Sequence, residues 1–340
     1  MYTDQRSNSG QEILSSIGEG RRFSGADWIR DQGLFPSPTY SEYFIHAHLP
    51  EEISGSFSPS LSDGDAIPED ILTPKLPSHY SPSQINMASD CGRKYYYQYI
   101  KGIKPRGPNP FFIIGSAADR TVELVLSAPE GSLSPSEIFQ EEFKKEMDQF
   151  KPEAFTEDQM NTLNKQSVQM EVLLTNYINN YIDYEPLSFQ RRLSLSLKGI
   201  GPVVYGYSDI IAKRGGDLVI IDIKTSGRSV SEPSATHRSQ LMFYCLALMK
   251  MDKLEVPPKL ELHYLIKTKE PKINIVPVEV SEANLYHVVT SIREHDWRIS
   301  KGYFPLNRNS IWCSPSGCEN YELCHSECKM EINDAIAQCV

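Results

Sequence analysis

The chain has 340 residues, 40% of them hydrophobic and 23% charged, which is typical of one large globular domain or two ordinary ones. No segment approaches the roughly 18 apolar residues of a membrane span, and the N-terminus lacks an apolar signal core. We therefore expect an intracellular protein with reduced cysteines and no membrane partner. The net charge is -10, but residues 1–78 hold 5 Lys/Arg against 12 Asp/Glu. The nearly neutral remainder is compatible with nucleic-acid binding.

The first part of the chain divides into a tail and a helical region. Residues 1–78 are rich in Ser, Pro, Gly and acids without periodicity, which predicts a largely disordered tail. Order is predicted to begin at "YSPSQINMASDCGRKYYYQYI", where Ser81 is an N-cap and Gln84 would complete a capping box. Further helices are predicted from about Gly115 through "AADRTVELVLS" and over residues 157–183. They would form a helical insert at about residues 115–185.

Strand patterns dominate the second part. "RLSLSLKG", "PVVYGYSDIIAK" and "DLVIIDIKT" precede a helix at "HRSQLMFYCLALMKM", and "KLELHYLIKT" and "KINIVPVEV" precede a helix at "EANLYHVVTSIREHDWRIS". A cysteine-rich tail follows at about residues 312–328. The pattern predicts an α/β fold with a central mixed β-sheet flanked by helices and containing an antiparallel pair. We expect one domain over residues 79–330 and a terminal extension at 331–340.

The segment "GYSDIIAKRGGDLVIIDIKTS" predicts a hairpin with an unusual set of charges. A two-residue turn at Gly215–Gly216 would place Asp209 opposite Asp222, with Cβ atoms roughly 5 Å apart. Lys224 would share their face of the sheet. Two partly buried carboxylates are costly unless a divalent cation compensates them, and Lys224 could then orient a water or steady negative charge. The alternative is a surface hairpin with solvated acids and a salt bridge.

Five short motifs in order carry a resemblance to a known family. They are "CGRKYYYQY", "GSAAD", "GYSD", "DIK" and "QLMFY". In this order they resemble the RecB-like exonucleases of the PD-(D/E)XK nuclease superfamily, which include the AddB nuclease domain and CRISPR-associated exonucleases. The resemblance covers about residues 80–330 and implies a restriction-endonuclease-like core.

The resemblance implies roles for the charged residues of the hairpin. Asp209 and Asp222 would hold Mg²⁺ or Mn²⁺, and Lys224 would serve the nucleophilic water. Gln240 and Tyr244, one helical turn apart, would position the substrate or Lys224.

Asp119 stands where the family usually has His. Aspartate is a competent ligand for a hard metal, so Asp119 could replace that His as a third metal ligand. The departure is also compatible with a helix that starts differently, with altered activity, or with a solvated helix residue.

The cysteines suggest a second metal centre. Four of the seven follow the spacing C-x4-C-x5-C-x3-C, which lacks the paired C-x2-C of zinc fingers and suits zinc or an iron–sulfur cluster. The resemblance implies one early and three late ligands of a [4Fe–4S] cluster, for which we select Cys91, Cys313, Cys318 and Cys324. Cys328 could displace Cys313 or Cys324. Cys245 is expected in the core.

Basic and aromatic residues alternate around Cys91. Arg93, Lys94 and Lys101 are candidates for phosphate contacts, as are Lys104 and Arg106. Tyr95 is a candidate for stacking on a base, although packing between helices is the alternative for most tyrosines of this segment.

The sequence therefore predicts a metal-dependent DNA exonuclease acting on single-stranded or frayed ends. The alternative is a DNA-binding or scaffolding subunit that retains the nuclease fold. No P-loop motif occurs in the chain, so a helicase, recombination or CRISPR protein would be a separate partner.

Overall fold

The computed structural model describes residues 77–103, 108–315 and 317–338. Nearly all of the predicted N-terminal tail, together with Lys104, Arg106 and Cys339, lies outside these residues. The helices are α1 Pro82–Asp90, α2 Gly92–Tyr95, α3 Pro110–Ser127, α4 Pro135–Met147, α5 Glu157–Asn180, α6 Ala235–Asp252, α7 Glu282–Ser300 and α8 Tyr321–Gln338. The strands are β1 His79–Tyr80, β2 Glu185–Leu195, β3 Val203–Arg214, β4 Asp217–Ser226, β5 Lys259–Ile266 and β6 Lys272–Val278.

The six strands form one mixed sheet, as predicted. The order is β1-β3-β4-β5-β6, and β2 pairs with the other edge of β3. β4 and β5 are parallel, whereas the β2–β3, β3–β4 and β5–β6 pairs are antiparallel. On one edge of β3, β1 pairs with Val203 and Val204, and β4 pairs with residues 210–214. The sheet therefore opens at this edge between residues 205 and 209.

Helices cover both faces of the sheet. On one face α1, α6 and α7 pack against Ile211 and Ile220. On the other face α3, α4 and α5 pack against Ile210 and Ile221. The sheet is thus buried on both sides, which accounts for the continuous apolar runs in β3 and β4. Among the described helices, none is long and apolar enough to cross a bilayer.

Local sequence signals explain several helix starts. Ser81 caps α1 by accepting a hydrogen bond from the Gln84 amide at 3.3 Å, but Gln84 Oε1 has no partner among the described residues, so the predicted capping box is only half formed. The reciprocal capping box occurs instead at α5, between Thr156 and Gln159.

Some boundaries differ from those predicted. The helix predicted from Gly115 begins five residues earlier, at Pro110, because Asn109 caps its first turn. The predicted strand "RLSLSLKG" overlaps β2 only in its first four residues, since β2 begins at Glu185 and ends at Leu195. The cysteine-rich tail ends in a helix, α8, and the helix α4 was also not predicted.

Candidate active site

The turn of the β3–β4 hairpin sets the register of the two central acids. Gly215–Gly216 has φ values of 56° and 91°, a left-handed conformation that favours glycine. The two-residue turn pairs Arg214 with Asp217, as predicted, and the ladder continues for five residue pairs. Asp209 and Asp222 are the next positions in this register, at the mouth of the opening in the sheet.

The ladder between β3 and β4 runs from the turn to the pair Ile210–Ile221 and does not reach Asp209. The strand β3 is irregular at this point. Val204 packs with one core cluster and Ile210 with the other, although residues six apart in a regular strand face the same way. On β2, Gln190 has a φ of 44° and is skipped in the pairing. Asp209 Oδ2 accepts a hydrogen bond from the Ile223 amide at 2.8 Å. The irregularity turns the Asp209 carboxylate towards β4.

Asp222 and Lys224 form an ion pair within the opening. Asp222 is 1% exposed, and its Oδ2 lies 2.6 Å from Lys224 Nζ. Asp222 Oδ1 is buried without a hydrogen-bond partner among the described residues. Burial favours the neutral amine of Lys224, but the carboxylates of Asp222 and Asp209 outweigh it and raise the Lys224 pKa. Lys224 is therefore a charged donor rather than a base.

The helix α3 brings a third carboxyl group to this site. Burial, followed by the charge of Asp209, raises the pKa of Asp119 well above its ordinary value, while Lys224 opposes the shift. Burial and the charge of Asp222 likewise raise the pKa of Asp209 to about 7. The acids therefore repel one another across the opening, and one amine only partly compensates them. Asp119 is not a solvated residue on the outer face of its helix.

These residues fit a hard divalent cation. Carboxylate oxygens are the ligands that Mg²⁺ and Mn²⁺ prefer, and a cation would partner the orphaned Oδ1 of Asp222 while relieving the repulsion. Within residues 77–338, as far as the structure describes them, no three His, Cys, Asp or Glu side chains converge tightly enough to hold a metal ion. The fit therefore rests on the chemistry of the donors and not on a formed coordination sphere.

The helix α6 covers the site from one side. Gln240 Nε2 donates to Tyr244 Oη at 2.8 Å, so the two predicted residues act as one unit. Burial and the charge of Asp222 raise the pKa of Tyr244, which keeps its hydroxyl protonated. A Cβ atom on Gly206 would lie 3.0 Å from the Tyr244 ring and 3.3 Å from Pro82. Glycine in "GYSD" thus allows Tyr244 to reach the site.

Three residues near the site were not identified from the sequence. His237 Nδ1 lies 2.9 Å from Tyr264 Oη, and burial followed by the charge of Lys224 lowers the His237 pKa. Gln190 Nε2 lies 3.5 Å from Asp209 Oδ1. The spacing of His237, one turn before Gln240 on the same helix, could have identified it. Nothing in the sequence placed Tyr264 beside Lys224 or marked the irregularity at Gln190.

Four cysteines line a cavity formed where the end of α1 meets the C-terminal part of the chain. They are Cys91, Cys313, Cys318 and Cys324, the four selected from the sequence. Burial, followed by the neighbouring thiols of Cys328 and Cys91, raises the pKa of Cys324 to about 11. All six cysteines of the described residues are free thiols, and Cys245 is buried in the core as expected. Four thiols around one cavity suit zinc or an iron–sulfur cluster.

The aromatic residues beside the cavity correct one assignment. Tyr95 is fully buried, stacks on Tyr99 and meets His295 edge-on, so its ring is not available to a base. Arg93 and Lys94 line the cysteine cavity. Lys101 lies 3.3 Å from Glu327 of α8. Phosphate binding by these three cations stays a prediction.

Comparison with known proteins identifies the family. The family model described as the PD-(D/E)XK nuclease superfamily matches residues 79–325. The chain therefore belongs to the PD-(D/E)XK nuclease superfamily, and its mixed sheet flanked by helices is consistent with the restriction-endonuclease-like fold. Nucleases of this superfamily generally use divalent metals.

Solved structures give weaker similarities. A proposed exonuclease from Eubacterium rectale is 14% identical, with a TM-score of 0.45 over 69% of this chain and 87% of that one. The structure of SSO0001 is 13% identical, with a TM-score of 0.34 over 74% of this chain and 88% of that one. No curated protein matches the chain.

Proposed function

We propose that the protein is a DNA exonuclease that depends on Mg²⁺ or Mn²⁺ and acts on single-stranded or frayed ends. The observation that carries this proposal is the meeting of Asp119, Asp209, Asp222 and Lys224 at the opening of the sheet. The pKa values of Asp119, Asp209 and Lys224 are each shifted by charges of this group, which supports the proposal that the four residues act together. A group of three acids and one amine in which Asp222 is buried and the others are half-buried is unfavourable for folding, which supports a functional role.

Each residue has a distinct role in this proposal. Asp119, Asp209 and Asp222 would hold the cation, which supplies Lewis acidity and a more acidic bound water. The protonated Lys224 donates to a phosphate oxygen or to the attacking water and stabilises developing negative charge. Tyr244, held by Gln240, keeps its proton and fixes the orientation of groups around Lys224.

The direct test is degradation of end-labelled single-stranded DNA. We expect digestion in Mg²⁺ or Mn²⁺ but not in EDTA, and loss of digestion in Asp222→Ala and Lys224→Ala. Wild-type activity in both variants would rule out the mechanism. The pattern of labelled products distinguishes digestion from an end from internal cleavage.

We also propose that the cysteine cavity holds a [4Fe–4S] cluster through Cys91, Cys313, Cys318 and Cys324, with Zn²⁺ as the alternative. The cluster would join the segment after α7 to the junction between α1 and α2. Anaerobic purification with metal analysis tests this assignment. Zinc at one ion per chain, without brown absorbance, would favour the alternative.

A second candidate function is a DNA-binding or scaffolding subunit that retains the nuclease fold. Asp119 at the position of the usual His, together with the absence of three converging ligands among the described residues, supports it. Metal-dependent DNA binding without any cleavage in the same assay would favour this candidate over the exonuclease.

A further inference from the structure

A buried lysine, Lys267, lies beyond the carboxylate site. Lys267 follows β5 and is 7% exposed, and its Nζ has no hydrogen-bond partner among the described residues. Its nearest aromatic contact is Phe111, with Nζ 5.7 Å from the ring centroid. Burial lowers the Lys267 pKa to about 8. An unpaired buried ammonium group destabilises a protein, and a bound anion would compensate it.

Of two exposed phenylalanines at the start of α3, Phe111 lies beside Lys267. Phe111 and Phe112 lie in the first turn of α3 and are 57% and 76% exposed. Adjacent exposed aromatic rings are unfavourable in water and often mark a binding surface. A cation next to exposed rings is the combination that binds single-stranded nucleic acid, because phosphates meet the cation and bases stack on the rings.

The helix α3 connects this pair of rings to the carboxylate site. Phe111, Gly115 and Asp119 are spaced four residues apart, so they lie along one stripe of the helix. At 1.5 Å per residue the stripe is about 12 Å long, room for roughly three stacked nucleotides. A Cβ atom on Gly115 would meet nothing within 4 Å, so the middle of the stripe is open.

The strands β4 and β5 also connect Lys267 to the carboxylate site. The Lys267 amide donates to the Ser226 carbonyl at 2.7 Å, two residues beyond Lys224 on the neighbouring strand. The rings and the lysine therefore lie at the end of a path bordered by α3 on one side and by the carboxyl ends of β4 and β5 on the other. A strand that reaches the acids along this path passes Lys267.

We propose that Lys267, Phe111 and Phe112 form a binding site for single-stranded DNA, in which unpaired bases stack on the two exposed rings and the charge of Lys267, buried beside the Phe111 ring, attracts a phosphate of the same strand. The inference rests on the proposed nuclease function and deepens it by locating the preference for single strands. Bases within a duplex are already stacked on each other and do not reach the rings. The site therefore favours single strands without reading sequence.

The test measures binding in EDTA, where no cleavage occurs, by fluorescence anisotropy of a labelled single strand and of its duplex. We expect the double variant Phe111→Ala/Phe112→Ala to lose about tenfold or more in single-strand affinity, with duplex affinity unchanged. Lys267→Met removes one charge that attracts phosphate, so the slope of log K against log salt should fall, by at most about 0.7. The thermal midpoint of Lys267→Met should not fall, because the substitution removes a buried charge.

Matched controls are Phe150→Ala, another exposed phenylalanine, and Lys198→Met, an exposed lysine in the β2–β3 connection. Neither should change single-strand binding. If the wild type degrades DNA but the phenylalanine variants bind single strands as tightly as it does, this site is wrong and the nuclease proposal survives. If the wild type neither binds nor degrades DNA, both fail.

Discussion

The carboxylate site and the cysteine cavity bring distant residues together by different means. The carboxylates lie on α3, β3 and β4, and the ladder of a sheet buried on both faces fixes two of them. The cysteines lie at the end of α1, in the segment after α7 and at the start of α8. Hydrogen bonds from Asn307 to the Asp90 carbonyl and from Ser310 to the Asp90 carboxylate, at 2.8 and 2.9 Å, help to hold these parts together.

The difference separates chemistry from stability. The core holds the carboxylate site in place against the repulsion of its own acids, so relieving that repulsion should cost activity and not folding. The cysteine cavity is bordered by loops and helix ends, so a ligand bound by four thiols would contribute to folding directly. Variants at the carboxylate site should therefore lose activity and keep their stability, whereas variants at the cysteine cavity should lose stability.

The largest expected effect is a loss of activity without a loss of stability in Asp209→Asn. The side-chain oxygen of the new amide can still accept a hydrogen bond from the Ile223 amide. Because the substitution removes one negatively charged metal ligand, we expect nuclease activity to fall by at least about 100-fold. Because burial and Asp222 disfavour the charged form of Asp209, the metal-free variant should melt at a higher temperature than the wild type at pH 8. Activity assays and calorimetry on the same samples check both expectations.

Asp217→Asn is the matched control, because Asp217 lies in the same hairpin but is exposed and pairs only with Lys259 on the surface. Its activity and melting temperature should match the wild type. A variant at Asp209 that keeps full activity would remove that residue from the metal site.

The second prediction concerns Cys91→Ser. Loss of one thiolate should release the proposed cluster, remove the iron and lower the melting temperature by several degrees, because binding energy at such a centre is also folding energy. Iron analysis, absorbance and calorimetry measure these changes. Cys339→Ser, which changes a cysteine outside the described residues, serves as the control. Equal stability of the two variants would show that Cys91 contributes no ligand.

The sequence predicted the sheet and the acids because their signals are local. A glycine pair sets the hairpin register, so Asp209 and Asp222 could be placed from spacing alone. The point at which the pairing of β3 with β4 stops could not be predicted, because it involves the left-handed backbone of Gln190 on another strand. The prediction that Tyr95 stacks on a base is wrong. The alternation of basic and aromatic residues around Tyr95 gives no sign of its contact with His295 of α7. The pair of Lys267 and Phe111 depends on a contact between residues 156 positions apart.

A smaller effect is expected from Gly206→Ala. The new methyl group would lie 3.0 Å from the Tyr244 ring, so the ring must shift away from Lys224. We expect kcat to fall by about tenfold, since small misplacements near a reacting centre are costly, with little change in melting temperature. Gly227→Ala, where a Cβ atom meets nothing within 4 Å, should keep wild-type kcat. Equal rates in the two variants would argue against a positioning role for Tyr244.

The smallest effect is a pH dependence of the metal-free protein. The Asp209 pKa is raised to about 7 in the folded state from an ordinary value near 4, so between these values the folded state holds a proton that the unfolded state has lost. The free energy of unfolding should therefore decrease as pH rises from about 4 to about 7, by at most about 1.4 kcal/mol per pH unit from this group.

Urea denaturation in EDTA across this pH range measures the slope, and Asp209→Asn should reduce it, because the amide does not titrate, while Asp119, whose pKa burial also raises, still contributes. A divalent cation that binds the charged acids should stabilise the wild type most above pH 7, where no proton competes for Asp209. Cys324 gives no such dependence in this range, since burial and the neighbouring thiols raise its pKa to about 11. A slope that is unchanged in Asp209→Asn would assign the titration to other groups and would remove Asp209 from the acids whose repulsion limits the stability of the metal-free fold.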